Sequence, residues 1–353
     1  MIQTRENNLN FLRFLAASFV VFSHGQAVVG SQITKIFGEP LSQFSVMTFF
    51  IISGYLITDS WERTHSTASY VINRCLRIFP ALAIVTILSA MLLGPLLTNL
   101  SLNSYFTDFG FYNYFKNAAL YAVYPLPGVF IDNHIPYAVN GSLWSLAPEF
   151  FCYILVALVG LSSRATARPY VYAVLFVLSA GVVLYFLISN APPVVIYAAD
   201  LKSGAAVIAF FMAAAVCRYF GVKPTLQIAI PMLAIYLALS AVLPTHLLTI
   251  LKWVCVTYIV LAVGLTPLPI VKNWGKRGDY SYGIYLYAFP VQQAIYQLTA
   301  GDIPAGSMIA LSFVLSVLCG AASWHLVEKQ FLKLKPKRKI ARYDPIQAAA
   351  EPA

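Results

Sequence analysis

Charge is missing from one long stretch of this chain after another, and that constrains the fold more than any other feature of the sequence. The run 81–97 holds no ionisable residue, and similar blocks recur along the 353 residues. Many approach the ~20 apolar residues needed to cross the hydrocarbon of a bilayer. Only 10% of residues are charged and 59% are hydrophobic, whereas a soluble domain carries roughly a quarter charged residues. A single soluble core has no use for so many uncharged blocks in series. The expected fold class is therefore all-α, a polytopic transmembrane helical bundle.

Reading the blocks against turn-forming residues gives about ten spans, near 9–29, 42–59, 78–98, 142–162, 170–189, 202–220, 225–243, 247–266, 279–299 and 306–327. Breakers separate many of them: Gly38-Glu39-Pro40, Ala191-Pro192-Pro193, Leu243-Pro244-Thr245 and Gly301-Asp302-Ile303-Pro304. An even count puts both termini on one side. With the termini cytoplasmic, only Lys35, Lys116, Lys202 and Lys252 of the 23 Lys and Arg residues fall outside. That bias obeys the positive-inside rule and places the chain in the inner (cytoplasmic) membrane as a multi-pass protein. Residues 1–335 form the expected membrane domain and 336–353 a short basic, disordered tail. The long connection 99–141 is rich in aromatics, which suit a membrane interface, and its length points to function.

The formal net charge of +10 would suggest nucleic acid in a soluble protein. Here the basic residues lie along the anionic inner leaflet, so no nucleic-acid partner is expected. Cys75, Cys152, Cys217, Cys255 and Cys319 contain no CxxC pair, and they read as packing residues with no disulfide or metal site. No cleavable signal pattern is visible at the N-terminus. No internal repeat is evident either, which disfavours a repeat-built transporter.

Ionisable groups inside spans are costly, so each is a functional candidate. Arg13 and His24 share a face of the first span, about 16 Å apart at 1.5 Å per residue. One helix thus shows a fixed cation near the cytoplasmic boundary and a titratable imidazole further in. A snorkelling Arg and a packing His would look the same. Glu149 follows Pro148 at the start of another span, where it could orient His24 or pair with an Arg. In the loop Asn73–Pro80, Arg74 and Arg77 are three apart and face one way. They suit an anionic donor or a simple positive-inside anchor. Ser53-Gly54 ends the second span and permits close approach of a helix or a ligand.

In chain order, several motifs resemble the acyltransferase 3 family of bacterial integral-membrane O-acyltransferases. They are Arg13 with ten residues before His24, Phe49-Phe50-x-x-Ser53-Gly54, Arg74-x-x-Arg77 before Pro80, and Ser142-Leu143-Trp144-Ser145-Leu146 with Glu149. Asp279-Tyr280-Ser281-Tyr282-Gly283-Ile284-Tyr285-Leu286 and Trp324-His325-Leu326-Val327-Glu328-Lys329 complete the series. The resemblance covers nearly the whole chain. It implies transfer of an acyl group, commonly acetyl from acetyl-CoA, to a hydroxyl of a surface glycan or lipid-linked precursor. Acyl-CoA is then a co-substrate, with no tightly bound cofactor. The resemblance marks His24 as general base, with Glu149 beside it, and Arg13, Arg74, Arg77 and Ser53 as donor-binding residues. Ser142, Trp144, Tyr282 and Glu328 are marked as supporting residues. Where many members have His after the Ser-Tyr-x-x-Tyr-Leu stretch, this chain has Ala288, which leaves His24 as the lead base. The extracytoplasmic esterase-like domain of some relatives is not expected here.

The expected mechanism has donor phosphates at the cytoplasmic side and the thioester extended towards His24. Neutral His24 removes the proton of the attacking hydroxyl, help worth roughly 10²–10⁴-fold. Ser142 or a backbone N–H near Ser53-Gly54 is the candidate oxyanion donor. A flippase for a lipid-linked sugar, with His24 and Glu149 as proton relay, is the rival from another class. A scaffold of a polysaccharide assembly complex is a third possibility, in which Arg13 and His24 would be dispensable. Only an enzyme creates an ester and consumes a thioester.

Overall fold

The computed structural model describes residues 7–64 and 66–336, so the expected tail lies almost entirely outside the described residues. The chain folds as helices in series. α1 is Leu9–Val28; a two-stranded ribbon, β1 Lys35–Ile36 and β2 Glu39–Pro40, leads into α2, Leu41–Glu62. α3 is Thr67–Leu88, and a wide π turn at Ser89–Leu93 joins it to α4, Gly94–Leu97. Short helices α5, Leu102–Thr107, and α6, Phe109–Tyr114, belong to the long connection. Then come α7, Leu146–Ser162, and α8, Arg168–Ser189, followed by β3 Val195–Ile196 and β4 Ala199–Asp200. α9 is Leu201–Tyr219, α10 Leu226–Ser240, α11 Thr245–Leu265, α12 Ser281–Leu298 and α13 Ala305–Ser323. A second π turn, Trp324–Glu328, continues α13 into α14, Lys329–Leu332.

All ten expected spans are helices. Among the described residues eight are long and apolar enough to cross a membrane. The other two depart for separate reasons. α10 has 15 residues and carries Pro231 inside it, so it is short. α12 carries Gln292 and Gln293, both fully buried, so it is polar and sheathed by protein. On the outside of the bundle, Leu96, Val177, Ile188 and Leu326 stay exposed. Apolar residues on the outer helix faces and packed ones within fit a bundle whose surroundings are hydrocarbon.

One expected boundary needs correction. The hydropathy pattern puts the third span at 78–98, with Arg74 and Arg77 in a loop before it. Helix α3 begins at Thr67, capped by the Ser66 side chain on Ser69 N, so both arginines sit well inside a helix. Their charges are sheltered by aromatic rings and, for Arg77, by carboxylates distant in sequence, described below.

A second correction concerns repeats. The unit helix–ribbon–helix occurs twice, as α1-β1-β2-α2 and α8-β3-β4-α9. Each ribbon closes through a two-residue turn with positive φ at both positions, Phe37 (53°) and Gly38 (77°), then Tyr197 (49°) and Ala198 (59°). That is the turn geometry whose twist matches paired strands. Each unit also enters its second helix by the same bond, Leu41 N to Thr34 O (2.9 Å) and Leu201 N to Val194 O (2.8 Å). The two second helices meet at Gly54, where an added Cβ would stand 2.2 Å from Phe211 O. Only a residue without a side chain allows that approach.

The long connection 98–142 is a folded cap. Its Tyr105, Phe111 and Tyr114 form a small core with Val129 and Phe130, so most of the bulk of these rings is internal. Asn117 ties its turn, donating to Tyr114 O and Val123 O. Tyr105 donates to Ala90 O (2.7 Å), a carbonyl of the π turn, and Gly94 leaves room for that ring. The cap is sewn to α12: Gln293 Nε2 donates to Ile135 O and Ala138 O, both at 2.7 Å, and Asn140 Nδ2 donates to Leu286 O at 2.9 Å. Of the two glutamines that make α12 polar, Gln293 holds the cap, while Gln292 donates to Val21 O of α1 at 2.6 Å.

Candidate active site

A cavity of about 330 Å³ opens at the end of the bundle opposite the cap. Five cations line it, Arg13, Arg63, Arg74, Arg77 and Lys335, against one carboxylate, Glu149. Ser53, Ser145, Tyr153, Tyr282 and Tyr285 also line it. Ser53 stands nine residues inside the end of α2, so the cavity reaches roughly 14 Å along that helix.

Behind the cavity wall sits an ion network. Arg77 donates to Asp279 Oδ2 (2.7 Å) and to Glu328 Oε2 (3.0 Å), and Arg13 lies 3.7 Å from the same Asp279 oxygen. Tyr282 lies under the Arg77 guanidinium at 5.5 Å and donates its hydroxyl to Ile78 O. Glu328 also accepts from Ser323 Oγ at 3.1 Å. Burial alone would push the Asp279 carboxyl up, but Arg77 and Arg13 hold it below the usual carboxylate range. The chain runs from Asp279 directly into α12, where Ser281 N and Oγ donate to the other oxygen. Arg13 and Arg77 therefore come with built-in counter-charges.

Arg74 differs. It has no carboxylate partner among the described residues; its guanidinium lies 5.8 Å from the rings of both Tyr70 and Tyr153. Its Nε, and Oδ1 of adjacent Asn73, are buried without hydrogen-bond partners. A cation against aromatic faces, with orphaned polar atoms beside it, is chemically ready for an anionic ligand.

Glu149 accepts from Ser53 Oγ (3.1 Å) and from Tyr153 OH (2.6 Å). Two expected site residues, 96 positions apart in sequence, are thus brought together. Glu149 makes no hydrogen bond to His24 among the described residues, so the two do not form a direct relay. His24 lies outside the cavity lining. Its ring meets Phe289 edge-on at 5.2 Å, and its Nδ1 is buried without a partner. Tyr285 lines the cavity and Phe289, one turn on along the same face of α12, meets His24, so the imidazole lies about one helical turn beyond the lining. Ser142 lies along the same wall: its carbonyl accepts from Tyr285 OH (2.6 Å), and its Oγ is buried and unpartnered. Ala288, fully buried, packs in a cluster with Ala17 and Val21. Trp144 packs against the main core and does not line the cavity.

The sequence alone points to no site role for Asp279, Tyr153 or Tyr285, and it marks Lys335 only as one of the basic residues along the inner leaflet. Tyr153 was accessible in principle, since it follows Glu149 by four on one helix. Asp279 was visible only as part of a motif, because its partners lie far away in sequence.

The acyltransferase domain family matches residues 6–325 of the chain. Over 352 residues the chain is 31% identical to an O-acetyl transferase of Shigella phage Sf6, an alignment covering 95% of this chain and 99% of the relative. A stretch of 83 residues is 45% identical to Nodulation protein 10 of Rhizobium leguminosarum bv. viciae and covers 22% of each. No solved structure matches. The chain belongs to the acyltransferase 3 family and is a multi-pass membrane O-acyltransferase.

Proposed function

From that membership, we propose that the protein transfers an acetyl group from acetyl-CoA to a hydroxyl of a surface glycan or its lipid-linked precursor, in the inner membrane and with both termini cytoplasmic. The similarity to the phage O-acetyl transferase supports the acyl group. The charge pattern of the cavity carries the donor assignment: five cations at one end of the bundle and the Glu149–Ser53–Tyr153 group further along. An acyl-CoA has the same polarity, a polyanionic nucleotide at one end and an uncharged thioester at the other. Arg74, free of a carboxylate, is the first phosphate ligand; Arg13 and Arg77 add positive potential while Asp279 and Glu328 hold them in place.

His24 is the proposed base. Its unpartnered Nδ1 leaves a ring nitrogen free to accept a proton. As the acceptor oxygen attacks the thioester carbonyl carbon, the hydroxyl proton passes to the imidazole. The tetrahedral intermediate collapses with cleavage of the C–S bond, and the imidazolium returns the proton to the departing thiolate. Ser142 Oγ, buried and unpartnered on the same wall, is available to donate to the developing oxyanion. Glu149 fixes Ser53 and Tyr153 around the acyl arm. Mass spectrometry of the surface glycan from cells with and without the protein, paired with an assay for CoA thiol release, tests the function. Unaltered glycan esters and no thiol release would refute it.

A further inference from the structure

Lys335 lines the donor cavity but belongs to no motif and to none of the transmembrane helices. It follows α14 by three residues, and the turn Lys333–Lys335 bends it back over the cavity mouth. There it shares the lining with Arg74, Arg77 and Asn73. No carboxylate pairs with it among the described residues. Three cations on one mouth repel each other: partial burial, then Arg74 and Arg77, push the Lys335 ammonium below the usual lysine value. Such a concentration of like charge is held at a cost that an anion would relieve.

The cations differ in depth. Arg74 is part of α3, with its Nε buried; Lys335 is exposed at the outer rim. In coenzyme A the diphosphate lies between the pantetheine arm and the nucleoside, and a further phosphate sits on the ribose at the end farthest from the thioester. Resting on the acyl-CoA reading above, we propose that Lys335 is the ligand of the ribose 3′-phosphate, with Arg74 taking the diphosphate. The C-terminal end of the last span thereby selects coenzyme A over donors that lack that phosphate. Asn73 Oδ1, an unpartnered acceptor beside Arg74, faces the same end and suits the amino group of adenine.

The test is binding of acetyl-CoA and of 3′-dephospho-acetyl-CoA to the purified full chain in nanodiscs, for wild type, Lys335→Ala and Lys335→Arg. Wild type should bind acetyl-CoA about tenfold more tightly than the dephospho form, the scale of one charge-assisted contact. Lys335→Ala should erase that preference by weakening acetyl-CoA alone, and Lys335→Arg should restore most of it. Equal weakening of both donors, or an unchanged preference in Lys335→Ala, would overturn the assignment. Wild type that binds neither donor would refute the acyl-CoA reading itself, and the role of Lys335 with it. Circular dichroism and size-exclusion profiles of the variants should match wild type, because Lys335 is exposed and pairs with no carboxylate among the described residues.

Discussion

Arg77 and Asp279 form an ion pair at 2.7 Å, 202 residues apart in sequence, and that pair fixes the approach of the third span to the start of α12. Asp279 also faces Arg13 at 3.7 Å, so its removal strips counter-charge from two guanidinium groups at once. Breaking a largely buried pair by removing one partner costs about 3–5 kcal/mol. Asp279→Asn should lower the melting temperature in detergent by several degrees, and Arg77→Met, which takes away one of the stranded charges, should partly rescue it. Equal stability of Asp279→Asn and wild type would show the network to be incidental.

The same pair sets a pH signature. Asp279 titrates below its ordinary value in the folded protein, so its stabilisation is complete above the unfolded value near ~3.9 and is lost as pH falls through the lower folded value. The stability difference between wild type and Asp279→Asn should close in strong acid, as pH falls through the lowered value. A difference that persists undiminished in strong acid would contradict this.

His24→Gln separates base from packing. Glutamine keeps size and hydrogen bonding but accepts no proton near neutrality. Acylation should drop by roughly 10²–10⁴-fold, while acetyl-CoA binding and the melting temperature stay near wild type, since His24 lies outside the donor cavity. Near-normal turnover in His24→Gln would move the base elsewhere, with Glu149 the next candidate.

Glu149→Gln keeps an acceptor oxygen for Tyr153 or Ser53 but removes the only carboxylate that lines the cavity among the described residues. Turnover should fall at least tenfold, with acetyl-CoA affinity equal or slightly higher because a negative charge has gone from a site for a polyanion. Weaker donor binding at unchanged turnover would show that Glu149 serves the donor electrostatically and not the reacting centre.

Sidedness can be read by thiol labelling in a variant lacking the five native cysteines. A cysteine at Tyr112, exposed on the cap, should react with an impermeant reagent from outside intact cells. One at Leu334, exposed beyond α14, should react only after permeabilisation. Asn117 is unsuitable as a probe because it is buried and holds a turn. The reverse pattern would invert the orientation.

The ten helices were legible because hydropathy reports burial in hydrocarbon directly, and α12 was legible in spite of its glutamines. The onset of α3 was not. Arg74 and Arg77 look incompatible with a helix interior until Tyr70, Tyr153, Asp279 and Glu328 are seen around them. The duplicated helix–ribbon–helix unit was hidden for another reason. Its signature is backbone conformation, and Phe37-Gly38 and Tyr197-Ala198 share little beyond one aromatic ring. For the site, the motif residues stand out in the sequence, but their grouping does not. Ser53 was read as a donor-side residue and Glu149 as a partner for His24, whereas three-dimensional packing joins Ser53 to Glu149 and sets His24 apart behind Phe289.

The Arg13–Asp279–Arg77–Glu328 network also bears on how the protein is made. Chains emerge from the ribosome N-terminus first, so Arg13 and Arg77 reach the bilayer long before Asp279 and Glu328 are synthesised. Through most of translation the two guanidinium groups lack their final counter-charges, and an unpaired cation at membrane depth is costly. A nascent chain interrupted before Glu328 therefore carries arginines in its first and third helices without the full set of carboxylates that hold them in the finished fold.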